Sequence, residues 1–159
     1  MSRATHESEP QRTSGPRWTT ADASFVRALE DCSLPSSQFH HRDHVRLAWL
    51  YLDAEPLARA ERRMETAIRR YAGHLGAHNK YHQTLTLAWM RLVDLANAAT
   101  PGAGTFEAFI DGHPALLDVS LVGRYYSQAA IDSLDAREGW VAPDLHGLTL
   151  DSVSQSRRV

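Results

Sequence analysis

Two stretches of this chain are apolar on nearly every side when they are drawn as helices. One is Val45–Leu52, with the sequence VRLAWLYL, and the other is Leu85–Leu95, with the sequence LTLAWMRLVDL. Helices of this kind belong inside a bundle rather than on its surface. No stretch shows the apolar and polar alternation that is typical of a β-hairpin. The sequence therefore predicts an all-α bundle of about five to seven helices, in which Trp49 and Trp89 are largely buried.

The two ends of the chain differ in composition from its middle. Residues 1–17 are rich in Ser, Thr, Pro and Glu, and Thr149–Val159 has the same polar character. Segments of this kind bury too little apolar surface to offset the entropy lost on ordering. We expect a disordered N-terminal arm at 1–17, a single helical domain at 18–148 and a disordered C-terminal tail at 149–159. A chain of 159 residues is long enough for one such domain.

Helix boundaries within the domain are indicated by capping residues, prolines and glycines. Thr19 or Thr20 can cap the first helix, and Pro56 sits where a first-turn proline is tolerated. The predicted helices begin at Thr19 or Thr20, run from His40 or His41 to about Leu52, from Pro56 to about Gly73 and from about Lys80 to Ala98, and continue as shorter pieces at Thr105–Ile110, Pro114–Tyr126 and Gln128–Arg137.

Composition excludes several classes of function. The formal net charge is -2, so nothing in the overall charge favours nucleic acid or an anionic membrane as a partner. The chain has one cysteine, which removes a disulfide framework and any cysteine-based zinc cluster. No apolar run is long enough to span a membrane, and residues 1–16 lack the apolar core of a secretory signal, so we expect a cytoplasmic protein. No nucleotide-cofactor motif and no Gly-x-Ser-x-Gly elbow occur.

The most informative segment is Phe39-His40-His41-Arg42-Asp43-His44. If His40 is the N-cap of the buried helix, Asp43 is the third helical residue, where a carboxylate can accept a hydrogen bond from a free backbone N–H. His41 and His44 then lie three residues apart on one face. Their spacing lets two imidazoles converge on one ion.

The other apolar helix also has a histidine near its start, His82. In an up-down-up arrangement the two helices are parallel, which would bring His82 towards His41 and His44. Three neutral imidazoles with open coordination positions suit Zn, Fe, Cu or Ni. The sequence therefore predicts a possible divalent-metal site at His41, His44 and His82, with Asp43 or Tyr81 orienting a ligand or relaying a proton.

Two other interpretations of the same histidines stay open. Imidazoles at helix starts also form metal-free acid/base sites, and they also serve as caps at the ends of buried hydrogen-bond networks. Residues around such a site would position a substrate. The expected substrate-binding residues are Arg46, Thr86, Tyr126 and Arg137; ion pairing is the alternative for Arg46, and a structural clasp with Asp144 is the alternative for Arg137.

The motifs resemble those of a family of small bacterial helical proteins. The shared pattern is a Phe-x-His-x-x-His-x-x-x-Ala-Trp helix, a Lys-Tyr-His-x-Thr-x-Thr helix start, Tyr-Ser, Ser-x-x-Ala-Arg and an aromatic-Val-x-Pro-Asp segment. Its members here are Phe39, His41, His44, Ala48 and Trp49; Lys80, Tyr81, His82, Thr84 and Thr86; Tyr126 and Ser127; Ser133, Ala136 and Arg137; and Trp140, Val141, Pro143 and Asp144. In that pattern Glu usually follows the histidine of the second motif, where this chain has Gln83. The resemblance spans about residues 25–145 and implies no activity.

Two classes of function are compatible with these residues. The first is a small enzyme, of metal-dependent oxygenase or hydrolase type or using histidine acid/base chemistry, that acts on a small organic molecule. The second is a non-catalytic module that binds a small ligand, or an accessory protein braced by the same histidines. The oligomeric state is open in both.

Overall fold

The computed structural model describes residues 18–149. The arm predicted at 1–17 lies outside the described residues, and so does the predicted tail from residue 150 onwards. Seven α-helices account for most of the described chain: α1 Thr20–Glu30, α2 His41–Ala54, α3 Leu57–His74, α4 Gln83–Ala99, α5 Phe106–Gly112, α6 Gln128–Asp132 and α7 Leu134–Glu138. Short 3-10 turns lie at Ser36–Gln38, His78–Lys80, Pro114–Leu117 and Val119–Arg124. No strand occurs within 18–149, and the all-α prediction is confirmed.

Side-chain caps determine where the long helices begin. Thr19 accepts a hydrogen bond from the Asp22 amide, and the Asp22 carboxylate accepts one from the Thr19 amide, each at 3.0 Å. His40 is the N-cap of α2, and the Asp43 carboxylate accepts from its amide at 2.9 Å. These reciprocal contacts satisfy amides that have no partner inside the helix. The predicted N-cap role of His40 is confirmed.

The core lies where α2, α3 and α4 pack on one another, with α1 against α3 and α7 against α4. Its fully buried side chains include Leu47, Leu50 and Tyr51 of α2 and Met90 and Leu92 of α4. Trp49 is also buried, at 7% exposure, as predicted. Trp89 is only half-buried, because its ring lies beside a pocket rather than within the core.

The arginines that interrupt the two apolar helices form ion pairs. Arg46 contacts Asp22 of α1 at 2.7 Å, and Arg91 contacts Glu61 of α3 at 2.9 Å. Each guanidinium also lies over an aromatic ring, that of Phe25 for Arg46 and that of Trp140 for Arg91. The ion-pairing interpretation of Arg46 is therefore the one that the structure supports.

The C-terminal third differs from the sequence prediction. The helix expected over Pro114–Tyr126 is two 3-10 turns that meet at Asp118, whose carboxylate accepts from the Ser120 amide at 2.9 Å. The helix expected over Gln128–Arg137 is interrupted at Ser133, where the backbone is extended. The Ser133 hydroxyl accepts from the Ala136 amide and donates to the Ala130 carbonyl. Short polar side chains compete in this way for backbone groups that a continuous helix would pair.

No helix among residues 18–149 is long and apolar enough to cross a membrane.

Candidate functional site: a histidine-lined pocket

A pocket of about 310 Å³ opens between the N-terminal ends of α2 and α4, with α3 along one side. Half of its wall is apolar or aromatic, formed by Phe39, Met64, Ile68, Tyr81, Leu85 and Trp89. The other half carries the polar groups, which are His40, His41, His44, Lys80, His82 and Thr86. A wall that combines apolar side chains with polar groups is typical of a site for a small organic molecule.

Local structure explains why so many imidazoles meet here. His40 caps α2 and His82 caps α4, so both helices begin at this pocket. His41 is the first residue of α2, and His44 follows three residues later. His41, His44 and His82 all line this one pocket.

His44 is a half-buried residue of the pocket wall. Its ring stacks on Phe39, with 4.0 Å between the ring centroids, and its Nδ1 lies 3.1 Å from the His40 carbonyl oxygen. Burial lowers the pKa of His44, and the nearby His41 lowers it further, so the ring is neutral at neutral pH. A carbonyl oxygen can only accept, so Nδ1 carries the proton and Nε2 carries a lone pair. Among the described residues, Nε2 has no hydrogen-bond partner.

His41 is held by a distant part of the chain. Its Nε2 donates to the Leu116 carbonyl at 2.8 Å, and its ring contacts the edge of Trp89 with centroids 4.4 Å apart. Nε2 therefore carries a proton, and in the neutral form of the ring Nδ1 carries the lone pair.

Both ring nitrogens of His82 contact the backbone. Nδ1 accepts from the Leu85 amide at 3.1 Å, and Nε2 donates to the Ile131 carbonyl at 2.7 Å. The ring thus caps α4 and ties it to α6. This is the capping role that the sequence left open as an alternative to ligation.

The three imidazoles do not fit a shared metal ion as they are placed. A ligating nitrogen must direct a lone pair at the ion, but His82 has none left after its two backbone contacts. Within 18–149 the structure contains no group of three or more His, Cys, Asp or Glu side chains arranged to hold a metal ion. His41, His44 and His82 share a pocket, but they do not form the predicted coordination shell.

Tyr81 and Thr86 are in the pocket, as predicted, and their hydroxyls are already engaged as donors. Tyr81 donates to Oε1 of Gln83 at 2.5 Å, and Thr86 donates to the His82 carbonyl at 2.8 Å. Burial raises the pKa of Tyr81, which keeps its hydroxyl protonated. Gln83 in turn donates to Glu65 at 3.1 Å.

Asp43 does not line the pocket. Its carboxylate accepts from the His40 amide, so its contribution to the site is to fix the start of α2.

Three residues expected to bind substrate lie elsewhere and are engaged in structural contacts. Arg46 is paired with Asp22, the Tyr126 hydroxyl donates to the Val141 carbonyl at 2.7 Å, and Arg137 donates to the Asn79 carbonyl at 2.6 Å. None of the three lines the pocket. Their assignment to a substrate site stays a prediction, and each side chain has a nearby protein partner that the sequence pattern does not reveal.

Asp144 also has a structural partner. It accepts from the amide and the hydroxyl of Ser127, so it fastens the C-terminal segment, although not through Arg137 as expected.

Sequence reasoning did not assign Met64, Ile68, Leu85 or Lys80 to the pocket. Met64 and Ile68 are buried residues of α3, and apolar periodicity along a helix does not distinguish a core position from a pocket wall. Lys80 carried one signal, since it is the sole lysine in a chain with sixteen arginines.

Comparisons with protein-family models, with curated proteins and with solved structures find no match. The chemistry of the site therefore rests on the residues that line it.

Proposed function

We propose that this chain binds a small, largely apolar organic molecule in the histidine-lined pocket and that neutral His44 accepts a hydrogen bond or a proton from it. The observation that carries the proposal is Nε2 of the half-buried His44 ring, which has no hydrogen-bond partner among residues 18–149 while Nδ1 is fixed as a donor. Such a nitrogen is suited to the base of an acid/base reaction.

The hydrogen-bond inventory of the pocket defines the ligand further. Five lining residues already donate a ring N–H or a hydroxyl to a protein oxygen: His41, His44, Tyr81, His82 and Thr86. Among these five residues, the ring nitrogens left over are His41 Nδ1 and His44 Nε2, whereas the other two polar lining residues, His40 and Lys80, are exposed to solvent. These two acceptor nitrogens favour a ligand that offers a hydroxyl or N–H group. A ligand with only acceptors would leave both nitrogens without a hydrogen bond.

The apolar wall explains where the rest of the ligand lies. Phe39, Trp89 and Ile68 present rings and methyl groups to the cavity, and a volume of about 310 Å³ admits a single small ring with substituents. A molecule of this size can bury its apolar part against the wall while its donor meets His44.

Phenol and toluene provide a matched pair of probes, since they differ in little but the hydroxyl. We expect phenol to bind more tightly by about twofold to tenfold, the value of one net hydrogen bond. The measurement is a titration followed by ¹H–¹⁵N NMR, with the indole N–H of Trp89 as the reporter in the pocket. His44→Phe keeps the stack on Phe39 and removes the acceptor, so it should abolish the preference for phenol.

His113→Phe is the control variant, because His113 is also a buried imidazole but contacts Thr100 and Phe109 outside the pocket. It should retain the preference. Equal affinity of the wild-type protein for the two probes, or no shift of pocket resonances, would contradict the proposal.

The same geometry serves a non-catalytic binding module if the ligand is held without transfer of its proton. The metal-dependent alternative stays a prediction, and metal analysis of protein purified without a histidine tag tests it. For a metal to use His82, the ring would first have to release Leu85 or Ile131.

A further inference from the structure

The mouth of the pocket carries a cation, Lys80. Lys80 ends the 3-10 turn His78–Lys80, lines the pocket and is exposed to solvent. Within the part of the chain that the structure describes, its ammonium group has no carboxylate at ion-pair distance. Lys80 therefore adds a charged donor to a pocket in which His41 Nδ1 and His44 Nε2 offer lone pairs.

The acidic residues nearest to the pocket are engaged with other groups. Glu65 contacts Arg69 at 3.3 Å and accepts from Gln83, while Asp43 accepts from the His40 amide. None of the residues that line the pocket is Asp or Glu among those described. The mouth thus favours a negative charge, and nothing in the wall opposes it.

The starts of α2 and α4 act in the same direction. Both helices begin at this pocket, and the N-terminal end of a helix carries a partial positive charge. Asp43 offsets this at α2, whereas α4 is capped by the neutral ring of His82. The electrostatic preference for an anion therefore comes from Lys80 together with the start of α4.

We infer that the ligand of this pocket is a small hydroxy-substituted carboxylic acid, most simply one built on a single ring. Its hydroxyl lies inside, against His44, and its carboxylate lies at the mouth, against Lys80. This inference rests on the proposed function and adds the charged end of the ligand to it. This orientation of the ligand follows because the His44 lone pair lies in the half-buried wall, whereas the Lys80 ammonium group is exposed to solvent.

The test uses 4-hydroxybenzoate and its methyl ester. Both carry the same ring and hydroxyl, but only the acid is an anion at neutral pH. We expect the wild-type protein to bind the acid about twofold to fivefold more tightly at low ionic strength, as for an exposed ion pair. That preference should shrink at high salt, because salt screens exposed charges.

Two substitutions at Lys80 separate charge from shape. Lys80→Met should lose the preference for the acid and leave ester binding unchanged, whereas Lys80→Arg should keep the preference. Arg62→Met removes an exposed cation of α3 that does not line this pocket, and it should bind both probes as the wild type does. Retention of folding is checked for each variant by circular dichroism.

Failure of this inference and failure of the proposed function give different results. If the ester binds as tightly as the acid, or Lys80→Met keeps the preference, the carboxylate assignment is overturned while both probes still depend on His44. If neither probe shifts the Trp89 indole resonance in the wild-type protein, both proposals are overturned.

Discussion

At the scale of single residues, His41, His44 and His82 have three different roles because their ring nitrogens have different partners. His82 contacts two backbone groups, His41 contacts one, and His44 contacts one while burial holds it neutral. The sequence placed all three at helix starts in one region, since capping rules and helix order are local information. It could not show the Leu116 and Ile131 carbonyls, which lie 75 and 49 residues away.

Burial of His44 and His113 makes stability depend on pH. Burial lowers the pKa of both rings below the usual 6.5, so the unfolded chain takes up protons more readily than the folded one. The stability they contribute is present above about pH 6.5 and is lost as the pH falls through their folded pKa values. We expect the free energy of unfolding, measured with urea at a series of pH values, to decline on acidification across this range.

His44→Phe and His113→Phe should each make that decline shallower. The exposed His146→Phe serves as the control and should follow the wild-type curve. A wild-type free energy of unfolding that rises on acidification would contradict the assignment. The ion pair with Arg46 helps to lower the pKa of Asp22 from its usual 3.8. Its titration therefore does not contribute to the change in unfolding free energy just below pH 6.5.

At the scale of helices, the sequence predicted the long ones well and the short ones poorly. α2 and α4 carry continuous apolar surfaces and identifiable caps, so periodicity places them to within a few residues. Lys80 was predicted inside α4, which begins at Gln83 because His82 takes the cap position. The 3-10 turns after His113 and the break at Ser133 depend on side-chain contacts with the backbone, which periodicity does not register.

Trp49 joins two of these helices. Its ring lies 5.9 Å from Phe106 and 5.9 Å from Phe109, both in α5, with the distances taken between ring centroids. Trp49→Ala should lower the free energy of unfolding by about 3–5 kcal/mol, through lost burial and the cavity left behind. Urea unfolding measures this. Trp140→Ala, at a half-buried position, should cost less; a loss below about 1 kcal/mol for Trp49→Ala would show that α2 is not central.

At the scale of the whole molecule, the segment after α7 is fastened across the start of α4. Buried Thr84 donates to the Gly139 carbonyl at 2.6 Å and accepts from the Val141 amide at 3.0 Å. The Leu145 amide donates to the Tyr125 carbonyl, and Asp144 accepts from Ser127. Sequence reasoning named Thr84 and Val141 only as parts of a motif, because contacts over 57 residues leave no local periodic signal.

Thr84→Val removes both of these hydrogen bonds at nearly constant volume. We expect it to lower the free energy of unfolding by about 1–3 kcal/mol, since the half-buried Gly139 carbonyl and Val141 amide lose their partner. Hydrogen exchange at the Val141 amide should also accelerate. Thr86→Val, which removes a bond only within α4, is the matched control and should leave exchange at Val141 unchanged.

The Leu116 and Ile131 carbonyls have a consequence for how the chain acquires its pocket during synthesis. A ribosome delivers α2 and α4 first, with every pocket imidazole present but without the carbonyl oxygens to which His41 and His82 donate. His41 can contact the Leu116 carbonyl only after the chain has been extended past Leu116, and His82 can contact the Ile131 carbonyl only after extension past Ile131. The residues that line the pocket are thus synthesised early. The backbone oxygens that orient the rings of His41 and His82 are synthesised later, in the last third of the protein.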